Sequence, residues 1–250
     1  MIDDKNILIA RMDDMVDKAL KTGVAASKFL TPADAASVAE HFARRRDISI
    51  HFDGGFDGAE RTRAIFTNSD WGTYERSELF TALKISYRIQ DAVGHRDILG
   101  ALMGLGIKRD AVGDIIINER FSVLVCLPKM ATFIIENLSK AGRVGLQIAD
   151  MCLDEIPVCE DELTIKTCTV ASLRLDAVLS STFSISRAKA TELIATKQVS
   201  LNHQVCEKSD KDIEENALLS VRGIGRARLL EVGGTSRKGR SFIKVGIFGR

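Results

Sequence analysis

Between Leu79 and Met151 the chain alternates strand-like and helix-like text with a regularity that leaves few topologies open. "LFTALKISY" ends in strand-type alternation, and "RDILGALMGLGI" carries apolar residues at helical spacing. "GDIIIN" and "FSVLVCLP" are dense in β-branched and aromatic residues. "KMATFIIENLSKAG" is helical with Gly142 placed to end it, and "VGLQIA" returns to a strand. The order β-α-β-β-α-β predicts the split βαβ sheet of a ferredoxin-like domain. Single-stranded RNA-binding modules share that arrangement with many unrelated proteins, and the aromatic pairs on which such modules stack bases are not evident in these strands. Asp97 is placed to cap the first helix of this domain, starting at Ile98.

Before this domain, Ile7, Leu8, Met12, Met15, Val16, Ala19 and Leu20 recur at helical spacing. Thr31-Pro32 is an N-cap with proline at the first position of a second helix. "ISIHFDGGF" and "RTRAIFTN" read as strands, completing a small α/β unit. After Met151, acidic strand-like text leads to a boundary near Ala171 with no low-complexity linker. The expected organisation is α+β: an N-terminal α/β unit over 1–78, a ferredoxin-like βαββαβ domain over 79–171 and a third unit over 172–250.

The third unit reads as a helix pair on a small antiparallel sheet. Ser172 is placed to cap a helix with Leu175, Val178 and Leu179 inward and Arg174 and Asp176 on its flanks. In the second helix Ala190, Leu193 and Ile194 make the buried stripe. Arg187 and Lys189 then sit near its N-terminus, where the dipole and free N–H groups favour phosphate. "QVSLNHQV" turns at Asn202-His203, and "LLSVRG", "RARLLEV" and "FIKVGIF" supply strands, with Gly233-Gly234 and Gly239 as a flexible connection.

Charge separates this unit from the rest. The formal net charge is +1, yet from Ser172 onward there are 14 Lys and Arg against 8 Asp and Glu. Between Ser220 and Arg250 eight basic residues face a single acid, Glu231, the footprint of a polyanion-binding surface. In "SVRGIGRARLLEV", Gly223 and Gly225 suit a tight turn between strands, and Arg222, Arg226 and Arg228 alternate to one side beside open backbone N–H groups.

Several functions are set aside. The N-terminus lacks a signal pattern and no apolar run reaches the roughly 18 residues of a membrane span, so a cytoplasmic protein is expected. Five cysteines (Cys126, Cys152, Cys159, Cys168, Cys206) include no C-x-x-C pair, which predicts buried thiols and no metal. "HRD" at His95–Asp97 lacks the kinase asparagine, Leu102 standing in its place, and no D-F-G follows. No Gly-rich cofactor loop and no catalytic constellation are present, so a non-enzyme without cofactors is expected.

"LRLDAVL", "SISRAKATELI", "VSLN" and "LLSVRGIGR", in that order, closely resemble the S4 RNA-binding domain. The resemblance implies that Arg174 and Arg187 grip RNA backbone, that Lys189 and Lys197 broaden the patch and that Asn202 is the hairpin asparagine. Three positions depart from the pattern: Gln198 replaces the usual glycine after the second helix, His203 replaces the glycine of the hairpin Asn-Gly, and Asn216-Ala217 replaces a Gly-Asp turn. "RLD" at Arg174–Asp176 also resembles part of a pseudouridine synthase signature, but Ala177-Val178-Leu179 follows where that signature needs a Thr/Ser-x-Gly run. Together with "DGGFDGAERTRAIF" and "GHRDILGALMGLGIKRDAVGDIII", the chain looks like the YlmH family of bacterial proteins over nearly its whole length. That resemblance implies association with the 50S subunit, with rRNA and tRNA as partners, in ribosome-associated quality control of stalled nascent chains; the protein itself is expected to be a monomer. His95, Arg96 and Arg109 are candidates for a second RNA surface. The alternative is a division-site interaction protein with a basic C-terminal patch.

Overall fold

The structure, a computed structural model, describes residues 4–88, 91, 93–118, 120–157, 163–235 and 239–249. The chain forms two compact units, 1–158 and 159–250.

In the first unit, α1 (Asp4–Thr22) buries Met12, Val16 and Ala19. β1 (Val24–Leu30) precedes α2 (Pro32–Phe42), which Thr31 opens by accepting the Asp34 N–H at 3.2 Å. β2 (Ile48–Asp53) and β3 (Thr62–Asn68) complete an antiparallel sheet of order β1-β3-β2. β1 corrects the expectation that two helices open the chain in succession. "VAASKFL" is poor in β-branched residues, and pairing with β3 imposes its extended form.

The register of β1 against β3 shifts between Ala26 and Phe29, and buried Arg63 of β3 holds that bulge. Its guanidinium donates to the main-chain carbonyls of Ser27, Ala26 and Leu79 and lies over the Phe80 ring, 5.5 Å from its centroid. These partners are neutral, and burial lowers the Arg63 pKa to about 10.

A short helix α3 (Arg76–Leu79) leads into β4 (Thr81–Ser86), α4 (His95–Gly104), β5 (Val112–Ile117), β6 (Phe121–Cys126) and α5 (Pro128–Asn137). A small hairpin of β7 (Lys140–Ala141) and β8 (Val144–Gly145) then precedes β9 (Gln147–Met151). The sheet order is β5-β6-β4-β9 with every neighbour antiparallel, the interleaving the β-α-β-β-α-β pattern predicts. Leu83, Ile85 and Leu124 are buried with Ile98 and Leu102 of α4 and Ile134 of α5. Phe29 and Ile65 of the first sheet belong to the same core, so the two sheets share one apolar interior.

Two local expectations are corrected. α5 stops at Asn137, where the Leu138 N–H donates to Ile134 O at 2.9 Å. Gly142, at φ +60°, instead lies between β7 and β8. Asp97 is not the N-cap of α4 but its third residue, accepting the Gly94 N–H at 2.9 Å.

The second unit contains β10 (Leu163–Val170), α6 (Leu175–Phe183), α7 (Arg187–Ala195), β11 (Val199–Leu201), β12 (Gln204–Val205), β13 (Leu218–Val221), β14 (Gly225–Thr235) and β15 (Ser241–Phe248). Its antiparallel sheet runs β10-β15-β14-β13-β11-β12. β10 pairs with β15 from Leu163 to Val170, so this strand, on the N-terminal side of the boundary expected near Ala171, is built into the C-terminal sheet. Gly233 and Gly234 lie inside β14 rather than in a connection, at a register shift between Val232 and Thr235. Leu175, Val178 and Leu179 of α6 pack with Ala190, Leu193 and Ile194 of α7 over Leu219, Leu229 and Val245, as the helical stripes predict.

Cys126 and Cys206 are buried, and burial pushes the Cys126 thiol up to about 12. Cys152 is exposed and Cys168 half-buried, which corrects the expectation of uniformly buried thiols; Cys159 lies outside the described residues. Among the described residues no helix is long and apolar enough to cross a membrane.

Replacing Arg63 with Met would remove the donors to three carbonyls while keeping much of the aliphatic stem. The expected loss is about 3 kcal/mol of unfolding free energy, read as a lower urea midpoint. An unchanged midpoint would show that the bulge holds itself.

Candidate nucleic-acid interface

α6 has no side-chain N-cap, and Ser172 stands outside it. Its first N–H groups donate instead to main-chain carbonyls, Leu175 to Lys211 O at 2.8 Å and Asp176 to Ser209 O at 3.1 Å. Arg174, the residue before the helix, forms an isolated bridge to Asp212. At the other end Lys166 Nζ donates to the carbonyls of Ser181 and Thr182, each at 2.8 Å, where cations stabilise a helix C-terminus. α7 starts conventionally: Ser186 Oγ accepts the Lys189 N–H at 3.1 Å.

The two helix starts meet at one carboxylate. Asp176 is not on an outer flank of α6; its side chain is 7% exposed, against 40% for Arg174 and 55% for Arg187. Arg174 Nε donates to Asp176 Oδ1 at 3.2 Å and Nη2 to Oδ2 at 3.4 Å, while Arg187 Nη2 donates to Oδ2 at 2.8 Å. Burial by itself raises the carboxyl pKa, but the hydrogen bonds and charges of Arg187 and Arg174 outweigh it and hold Asp176 below the usual carboxylate value. The hydrogen bond to Asp176 in turn raises the Arg174 pKa.

The remaining candidates gather elsewhere on the unit. Lys197, Gln198, Ser200, Ser220, Arg222, Gly223 and Arg226 line an open groove of about 550 Å³. Its rim is the turn after β13, where Gly223 at φ +78° and Gly225 at φ +153° adopt backbone that side chains rarely tolerate, as expected from the sequence. Arg226 and Arg228 both lie over the ring of Phe248, at 5.0 and 5.7 Å from its centroid, so they do alternate to one side. Phe248, on the neighbouring strand, thereby joins the candidate residues, which strand alternation alone does not reveal. Lys197 pairs with Glu207 at 3.0 Å and Lys189 with Glu192 at 2.9 Å, both pairs exposed.

The departures from the hairpin pattern resolve locally. The left-handed residue after α7 is Lys197, at φ +59°, rather than Gln198. Asn202 and His203 both have positive φ, the conformation of a two-residue type I′ turn. Asn202 Oδ1 accepts the Leu218 N–H at 2.8 Å, so this asparagine pins β13 to the hairpin. Asn216, at φ +66°, supplies the turn where a glycine would be usual.

In the first unit, His95 and Arg96 are exposed at the start of α4. Arg109 does not present its charge in the same way: it is half-buried and donates to Val112 O at 2.7 Å and Gly113 O at 2.9 Å. Burial first, and then neighbouring Arg61, lower its pKa. The middle sheet does carry one aromatic that the sequence reading passes over, Phe121, with Lys84 Nζ 4.7 Å from its ring centroid.

Residues 173–219 match the S4 domain model, the segment that carries α6, α7 and the hairpin. By fold and matched segment this is an S4-type RNA-binding protein. Residues 5–71 match "YlmH, N-terminal" and residues 80–155 match "Putative RNA-binding domain in YlmH". The chain is 35% identical over 195 residues to "Ribosome-associated protein quality control protein P2" of Bacillus subtilis (strain 168), covering 77% of this chain and 75% of that protein. The chain belongs to the YlmH family. In fold it also resembles the solved "Cell division protein ylmH from Streptococcus pneumoniae", with a TM-score of 0.51 and 16% identity over 62% of this chain and 96% of that one.

Because the folded Asp176 pKa is lowered, its contribution to stability is present above the unfolded carboxylate pKa of roughly 4 and is lost as pH falls through the folded value. Wild-type protein should therefore lose more unfolding free energy than Asp176→Asn between roughly pH 5 and pH 2, measured by urea titration at each pH. Parallel losses in the two proteins would contradict the ion-paired state.

Proposed function

We propose that this protein is a non-enzymatic, cytoplasmic factor that docks on the rRNA and tRNA of the 50S subunit in quality control of stalled nascent chains. The observation that carries the reading is the meeting of Arg174 and Arg187 where α6 and α7 begin, in a unit whose groove and β14 add Lys197, Arg222, Arg226 and Arg228. Helix starts and paired guanidiniums suit phosphate oxygens, and phosphate contacts give an affinity that depends on salt and on RNA shape more than on base sequence. The name of the Bacillus subtilis relative supports the ribosomal setting.

The test is cosedimentation of full-length protein with 30S, 50S and 70S particles at low and high salt. Removing Arg174 and Arg187 alone would leave Asp176 buried without partners, at a cost of several kcal/mol. The informative variant is therefore Arg174→Gln, Arg187→Gln and Asp176→Asn together. Salt-sensitive wild-type protein at 50S, with the triple variant at the top of the gradient, is the expected result. Wild-type protein at the top throughout would overturn the ribosomal reading and favour the division-site alternative. Undiminished 50S binding by a folded triple variant would overturn the site.

A further inference from the structure

An acid at the centre of a phosphate-binding surface is, on charge alone, a liability: it repels the ligand and cancels one of the cations that attract it. Asp176 stands in that position, buried, with both oxygens on arginines. A carboxylate in the first turn of a helix commonly accepts that helix's free N–H groups. Here the carbonyls of Ser209 and Lys211 already take the N–H groups of Asp176 and Leu175. What remains for the carboxylate is to hold two guanidiniums, one from the residue before α6 and one from the first residue of α7.

We infer that Asp176 is a positioning residue for RNA backbone: it clasps Arg174 and Arg187 in one fixed arrangement, so that their remaining donors face a phosphodiester together. The inference rests on the RNA-binding reading of these two arginines. Arg174 meets the carboxylate along one edge, through Nε and Nη2, and Arg187 through Nη2 alone. Nη1 of both arginines and Nε of Arg187 have no hydrogen bond to a described residue, and both side chains are about half exposed. A guanidinium held on one edge keeps its charge and planar fork while losing rotamer freedom before the ligand arrives, which lowers the entropy cost of binding. The carboxylate also offsets the mutual repulsion of two arginines brought to one point. In exchange it lowers the local net charge by one.

That exchange gives the experiment an opposed sign. If Asp176 acts only through charge, Asp176→Asn adds one unit of positive charge and strengthens RNA binding. If it positions the arginines, the same change weakens binding despite the added charge. The probe is purified 50S subunits with full-length protein, with affinity measured as a function of salt. The expected result for Asp176→Asn is roughly tenfold weaker binding, with the salt slope reduced by about one to two units as phosphate contacts are lost. Asp176→Glu keeps the charge and moves the carboxylate by one methylene; it should also weaken binding, which a pure charge effect does not predict. Thermal unfolding of each variant identifies any that fail to fold, and either variant alone carries the test. The Nε–H NMR signals of Arg174 and Arg187 in the free protein should sharpen with the wild-type clasp and broaden in Asp176→Asn. Binding by a folded Asp176→Asn that equals or exceeds wild type, with an unchanged slope, would overturn the inference while leaving the RNA-binding reading in place. Absence of 50S binding by the wild-type protein would overturn the RNA-binding reading itself, and the inference with it.

Discussion

The C-terminal unit is organised around a buried negative charge that its own helix does not need. The first turn of α6 is satisfied by the carbonyls of Ser209 and Lys211, which anchor the helix to the chain leading into β13. Asp176 is then left facing inward with its oxygens unclaimed by backbone, and a buried carboxylate persists only where cations and hydrogen bonds compensate its desolvation. Arg174 and Arg187 supply that compensation, so the same electrostatic requirement that stabilises the helix pair also fixes two guanidiniums at its edge. Local stability and the shape of the candidate interface are thus set by one interaction.

The fate of the basic residues elsewhere shows why charge is an incomplete guide to a polyanion surface. Arg63 lies buried among carbonyls and the Phe80 ring, Arg109 donates to the start of β5, and Lys166 closes the C-terminus of α6. Each neutralises partial charges of the main chain rather than facing solvent with its full charge. Arg226 and Arg228, by contrast, both lie over the Phe248 ring, at 5.0 and 5.7 Å from its centroid. Main-chain carbonyls can take up an arginine's donors, so residue type and position alone do not show where its charge is presented.

Much of the fold was legible where periodicity and pairing agree. The order β5-β6-β4-β9 follows from β-α-β-β-α-β because the crossover helices leave few ways to interleave four strands, and the stripes of α6 and α7 appear where their apolar spacing puts them. What escaped notice was set by partners distant in sequence. β1 is extended because β3 holds it, and β10 joins the C-terminal sheet because β15 runs its full length. Of the candidate site, the basic residues could be named from type and position, but their grouping could not. The clasp at Asp176 joins residues 11 positions apart through side-chain length, and Phe248 meets its arginines from β15, the strand paired beside β14. No local spacing rule encodes either contact.

The central claim is that the C-terminal unit binds RNA by neutralising phosphates at a prearranged set of cations. Its most direct test is the logarithmic dependence of affinity on salt for full-length protein and 50S subunits. Simultaneous engagement of the arginines at Asp176 and those on β14 predicts a steep negative slope, on the order of three to five contacts' worth. A slope near zero, with binding intact, would mean that the protein holds the subunit through uncharged contacts, and would contradict the account.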